Sequence, residues 1–140
     1  MPALTTLHDL MVHQIKDLYS AERQLVQALP RMAKHANSGE LQVAIQKHLE
    51  QTETHVSRLE QCLDLLNESA RGPKCKGMEG LIAEGKELLE EEVDPEVLDR
   101  GYGDMIGQAI SFSPRARALG VVLPSNSPGV HGLWIPAIAM

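Results

Sequence analysis

From Leu4 to Ala36, apolar side chains recur at steps of three and four residues: Leu4, Leu7, Met11, Ile15, Leu18, then Leu25, Leu29, Met32 and Ala36. A stripe of ~30 residues with that period is one long amphipathic helix, ~45 Å from end to end. A rod of this length needs cover along its whole apolar face, which restricts the chain to a helical bundle. One place in the series is different. Glu22 stands between Leu18 and Leu25, about 40° from the first and about 60° from the second around the helix axis. An unpaired ionised carboxylate there costs several kcal/mol, so it must be neutralised, paired with a cation, or bound to a metal ion. A partly solvated carboxylate, or one paired with Arg or Lys from a facing helix, meets the same requirement.

The rest of the first hundred residues supplies the cover. Thr6 is a suitable N-cap for the first helix. Pro30 interrupts it, but Met32, Ala33 and Ala36 stay in phase, so one kinked helix is expected to about Ala36. Asn37, Ser38 and Gly39 make a turn. A second helix is expected from about Glu40 to about Ser69, with Leu41, Ile45, Leu49, Val56, Leu59, Leu63 and Leu66 along one face. So short a connection makes the two helices antiparallel neighbours. Ala70 to Lys76 reads as a loop, and a shorter amphipathic helix comes next, from about Met78 to about Glu91. Asp94-Pro95 is a start signal for a fourth helix carrying Val97, Leu98, Met105 and Ile106, weakened by Gly101, Gly103 and Gly107.

Composition then changes. All 19 acidic residues lie at or before Asp104, and Pro114, Pro124, Pro128 and Pro136 punctuate the C-terminal thirty residues. Residues 111–140 are expected to form an irregular or disordered tail, set apart from a helical domain over 1–110.

The length of 140 residues suits one domain, and the net charge of −6 argues against a nucleic-acid partner. No apolar run is long enough to span a membrane, and no signal peptide is recognisable at the N-terminus. Cys62 and Cys75 lack metal-type spacing, so free thiols in a reducing cytoplasm are expected, Cys75 being a candidate exposed thiol or equally a structural one.

The second helix also carries polar residues on its core face. With Thr52 at zero, Leu59 lies at about −20°, His48 at about −40° and His55 at about −60°, while Glu53 sits at the border near 100° and Glu50 points away near 160°. Antiparallel pairing about the turn brings Glu22 level with residues 53–55. Bundles assemble interior carboxylate–imidazole metal sites in this way, with His48, Thr52, His55 and Glu53 facing a helix that bears Glu22. A satisfied core histidine and a buried Glu–His ion pair remain open alternatives.

Three stretches resemble a known family. They are Asp17-Leu18-Tyr19-Ser20-Ala21-Glu22-Arg23-Gln24-Leu25, continuing to Ala33; His48-Leu49-Glu50-Gln51-Thr52-Glu53-Thr54-His55-Val56, continuing to Gln61; and Lys74-Cys75-Lys76-Gly77-Met78-Glu79-Gly80-Leu81-Ile82. From about Thr6 to about Ala109 the chain resembles the YciE/YciF family of bacterial ferritin-like proteins. The resemblance implies an all-α, ferritin-like helical bundle that is incomplete here: the first two bundle helices, a crossover helix over Met78–Glu91, the start of the third bundle helix, and an irregular tail.

In ferritin-like di-iron proteins, the first and third bundle helices each supply a Glu, and the second and fourth each supply a Glu-x-x-His. Glu22 matches the first carboxylate and His55 the histidine of the second helix. The Glu expected three residues before His55 is replaced by Thr52, with Glu53, Glu50 or His48 as substitutes. The implied metal set is therefore Glu22, Glu53 and His55, holding iron or manganese. A second departure comes after Gly107-Gln108-Ala109. The family continues with a segment like Val-Glu-His-Tyr-Glu-Ile, whereas this chain continues Ile110-Ser111-Phe112-Ser113-Pro114, as a frame-shifted gene would.

The resemblance thus implies a stress-related protein with di-iron or di-manganese binding and ferroxidase-type oxygen chemistry, weakened by loss of the third and fourth bundle helices. A non-catalytic helical stress or interaction protein with a buried Glu–His pair is the competing expectation. An uncovered apolar bundle face also predicts a homodimer, which would bring two Glu22 and two His55 together.

Overall fold

Thr6 begins the first helix as the capping rule requires. Its hydroxyl accepts the Asp9 N–H at 3.0 Å, and the Asp9 carboxylate accepts the Thr6 N–H at 3.0 Å in return. In the computed structural model, which describes residues 3–110, the chain forms four helices: α1 (Leu7–His35), α2 (Gly39–Leu65), α3 (Lys76–Glu90) and α4 (Pro95–Ile110). The described residues contain no strand, as the helical period demands. The expected tail, 111–140, lies outside the described residues.

Pro30 lies inside α1 without ending it. Its exposed position lets the helix continue past the missing N–H. At the turn, Ser38 caps α2 through its hydroxyl, which accepts the Leu41 N–H at 3.4 Å. Cross-contacts give the register of the hairpin. Gln42 donates to the Ala36 carbonyl at 2.6 Å, the Tyr19 hydroxyl donates to Glu60 at 2.9 Å, and Lys16 pairs with Glu68 at 3.4 Å. Residues equally far from the turn meet, so α1 and α2 are antiparallel.

α2 stops four residues short of the expected Ser69. Asn67 takes a left-handed φ of 53°, its N–H donates to Asp64 at 3.0 Å, and the Glu68 N–H donates to Leu63 at 2.9 Å. This pair of bonds is a Schellman stop, and Asn is the residue besides Gly that tolerates it best. The apolar period alone hides it, because Leu66 packs on the core just past the end of the helix.

α3 docks on α1 and α4. Ser20 Oγ accepts the Cys75 N–H at 2.8 Å, and Gln24 donates to the Cys75 carbonyl at 3.1 Å. Cys75 is consequently buried with Met78 and Leu81, a structural thiol rather than an exposed one. Burial also pushes its thiol pKa up. On α4 the buried residues are Tyr102 and Met105, whereas Val97 is exposed.

Apolar packing divides into two clusters. One joins Leu25, Leu29, Met32, Ile45 and Leu49 to α3 and α4 near the turn. The other holds Ile15, Leu18, Leu59 and Leu63 at the far end of the hairpin. What separates them is polar. No helix among the described residues is long and apolar enough to cross a membrane.

Candidate functional site

Between the two clusters, α1 contributes Glu22 and α2 contributes His48, Thr52 and His55. Glu22 and His48 are buried, and Thr52 has no exposed surface at all. The apolar period of each helix carries these polar groups inward with the aliphatics on either side of them, and the antiparallel register sets them at one level.

His55 Nδ1 lies 3.5 Å from Glu22 Oε1, and the two side chains are 15% and 12% exposed. That separation makes an ion pair when the imidazole is protonated, but it is too long for a good hydrogen bond. His55 Nδ1, Glu22 Oε2 and His48 Nε2 are all buried without a hydrogen-bond partner. Thr52 is satisfied: its hydroxyl donates to the His48 carbonyl at 2.8 Å, one turn back along its own helix. Burial holds the His48 imidazole below the ordinary histidine range. Glu22 opposes that effect, and the like charge of His55 adds to it.

Of the residues expected to form a site, Glu22 and His55 are brought together. Glu53 is exposed and does not join them, as its border position on the helix allows. His48, placed from sequence on the core face beside Thr52 and left outside the implied ligand set, lies within the layer, and its place about 40° from Thr52 is the signal.

A two-metal carboxylate centre needs several carboxylates and imidazoles converging on shared ions. Here Thr52 stands where a Glu would complete Glu-x-x-His, and its hydroxyl is turned to the backbone. Among the described residues, no three His, Cys, Asp or Glu side chains come close enough to hold a metal ion. The donor set of the described residues does not fit a di-iron centre. It can set an acid against an imidazole, and it can fix the register of two helices.

Residues 6–110 match the family described as "Domain of unknown function (DUF892)". Protein YciF of Escherichia coli (strain K12) is 36% identical over 97 residues, which are 69% of this chain and 58% of that protein. The match therefore spans less than two thirds of that relative's length. Among solved structures, YcfI from Rhodopseudomonas palustris, proposed to be a structural protein, aligns with a TM-score of 0.72 at 31% identity, covering 85% of this chain and 81% of that one. The crystal structure of the Escherichia coli stress protein YciF aligns with a TM-score of 0.72 at 30% identity, over 84% of this chain and 80% of that one.

Proposed function

The chain belongs to the DUF892 family, the YciE/YciF group of ferritin-like proteins, and from that membership we propose that it is a helical stress protein whose central polar layer acts structurally rather than as a two-metal oxidation centre. One observation carries the reading. The fully buried Thr52 spends its hydroxyl on a backbone carbonyl, and Glu22 is left with the His55 imidazole as its ion-pair partner. A buried acid–imidazole contact between otherwise apolar helices discriminates among registers, because sliding either helix by one turn strands both groups against aliphatic neighbours.

A second reading keeps the metal. Its support is the three unpartnered buried atoms, Glu22 Oε2, His48 Nε2 and His55 Nδ1, since orphaned polar atoms in one layer call for a water, a proton or an ion. In that reading Glu22 and His55 are the ligands, and iron or manganese bound there supplies Lewis acidity and redox chemistry. A homodimer doubling the pair would supply the missing donors.

Metal content and thermal stability of the purified full chain, measured with and without Fe(II) or Mn(II), separate the two. The structural reading expects no stoichiometric metal and no metal-dependent rise in melting temperature. A stoichiometric metal that raises the melting temperature and is lost in both Glu22→Ala and His55→Ala would replace it with the second reading. Size-exclusion chromatography run on the same samples shows whether such binding requires a dimer.

A further inference from the structure

A cavity of about 260 Å³ lies where α1, α3 and α4 meet, separate from the Glu22 layer. Its charge is opposite to that of the chain. Arg31, Lys74 and Lys86 line it, and none of its described lining residues is acidic, although the chain has 19 acidic residues against 13 basic ones. Cations gathered about one small space repel each other, and an anion bound between them relieves that repulsion. Two acidic groups in the neighbourhood compete weakly or are already occupied. Lys74 reaches Glu79 at 3.4 Å with both side chains more than half exposed, a pairing that solvent screens heavily. The Asp99 carboxylate, close enough to act on Tyr102, already accepts the backbone N–H groups of Asn37 and Ser38.

The remaining wall is apolar, with Ile82 and Leu89 on α3. Tyr102 of α4 lines the same space. It is completely buried, and its hydroxyl has no hydrogen-bond partner. Burial raises the phenol pKa, with Arg31 pulling the other way, so at neutral pH the group is a protonated donor. That hydroxyl has no accessible surface, so Tyr102 backs the wall of the space without offering a ligand a polar contact.

We infer that this cavity binds a small amphipathic carboxylate, its charged end held by Arg31 and Lys86 and its apolar body laid against Ile82 and Leu89. Arginine suits the charged end, because its planar fork grips both carboxylate oxygens. The volume limits the body. At about 30 Å³ per water the space equals roughly nine waters, so the ligand has about ten heavy atoms.

Isothermal titration of the full chain with octanoate, 1-octanol, acetate and inorganic phosphate tests the assignment. Octanoate should saturate one site with a dissociation constant of about 0.1–1 mM, the range open to so small a ligand. Octanol lacks the charge, and acetate and phosphate lack the tail, so each should bind at least about tenfold more weakly. Arg31 and Lys86 are exposed, so Arg31→Ala with Lys86→Ala should keep the melting temperature while weakening octanoate at least about tenfold. Octanol binding as tightly as octanoate, phosphate binding as tightly as octanoate, or undiminished octanoate binding in the double variant would each overturn the assignment.

Discussion

The Asp99 carboxylate accepts the backbone N–H of Ser38 at 2.8 Å, and so ties α4 to the N-terminus of α2. The same carboxylate accepts the Asn37 N–H at 2.8 Å, and Asn37 donates its side-chain amide to the Pro95 carbonyl at 3.2 Å. Both backbone donors sit where the α2 dipole is positive, which favours a carboxylate. Asp99→Ala should cost about 1–2 kcal/mol, less than fully buried charge-assisted bonds because solvent reaches the turn. Thermal melts give the loss, and faster amide exchange confined to α4 would identify it as undocking. An unchanged melt would mean the tie contributes nothing.

Removing both Glu22 and His55 should help the fold. Two leucines in their place join the clusters on either side, and replacing a buried ion pair with packed aliphatics is often stabilising by about 1–4 kcal/mol. Glu22→Leu alone should gain less, because it leaves the buried imidazole unpaired. Denaturant midpoints for the two single variants and the double close the cycle. A double variant less stable than either single would show that the pair contributes more than register.

His48 makes stability fall in mild acid. Its folded-state pKa is depressed from the ordinary 6.5, so the unfolded chain takes up a proton first as pH drops through that value. Stability then declines by at most about 1.4 kcal/mol per pH unit until the folded imidazole also protonates, and above about pH 6.5 this group adds no pH dependence. His48→Gln should flatten that part of the curve when urea midpoints are compared at about pH 7.5 and about pH 5.5.

Glycines in α3 should answer differently to an added side chain. Nothing lies within 4 Å of a Cβ built at Gly80, so Gly80→Ala should stabilise by about 0.5–1 kcal/mol through helix propensity. A Cβ at Gly85 collides with the Met105 thioether, and Gly85→Leu should cost about 1–3 kcal/mol by overpacking. Met105→Ala added to Gly85→Leu should recover part of that loss. Chemical denaturation of the four proteins decides it.

The depth of the Glu22–His55 contact is legible in the sequence, because a short turn between two long stripes equates positions by their distance from it. The inward turn of Thr52 and His48 is legible by the same reasoning. Glu53 shows where that reasoning weakens: at a border angle a small rotation decides between core and water, and the period does not specify rotation. The end of α2 escapes the period because Asn67 is a stop signal only in one backbone conformation. Asp99 has no sequence signal at all, since its partners are amides about sixty residues away along the chain. Tyr102 is likewise hidden among the glycines of α4, though it is the largest fully buried side chain.

Among the described residues, the polar layer leaves the far cluster of the hairpin supported by α1 and α2, while α3 and α4 reinforce the half nearer the turn. Opening of the bundle should therefore be graded and begin at the tips, with Ile15, Leu18, Leu59 and Leu63 separating while the turn end stays closed. A zipper that parts from one end exposes Glu22 and His55 to water before the fold is lost, so access to the buried pair is governed by local breathing rather than by global unfolding.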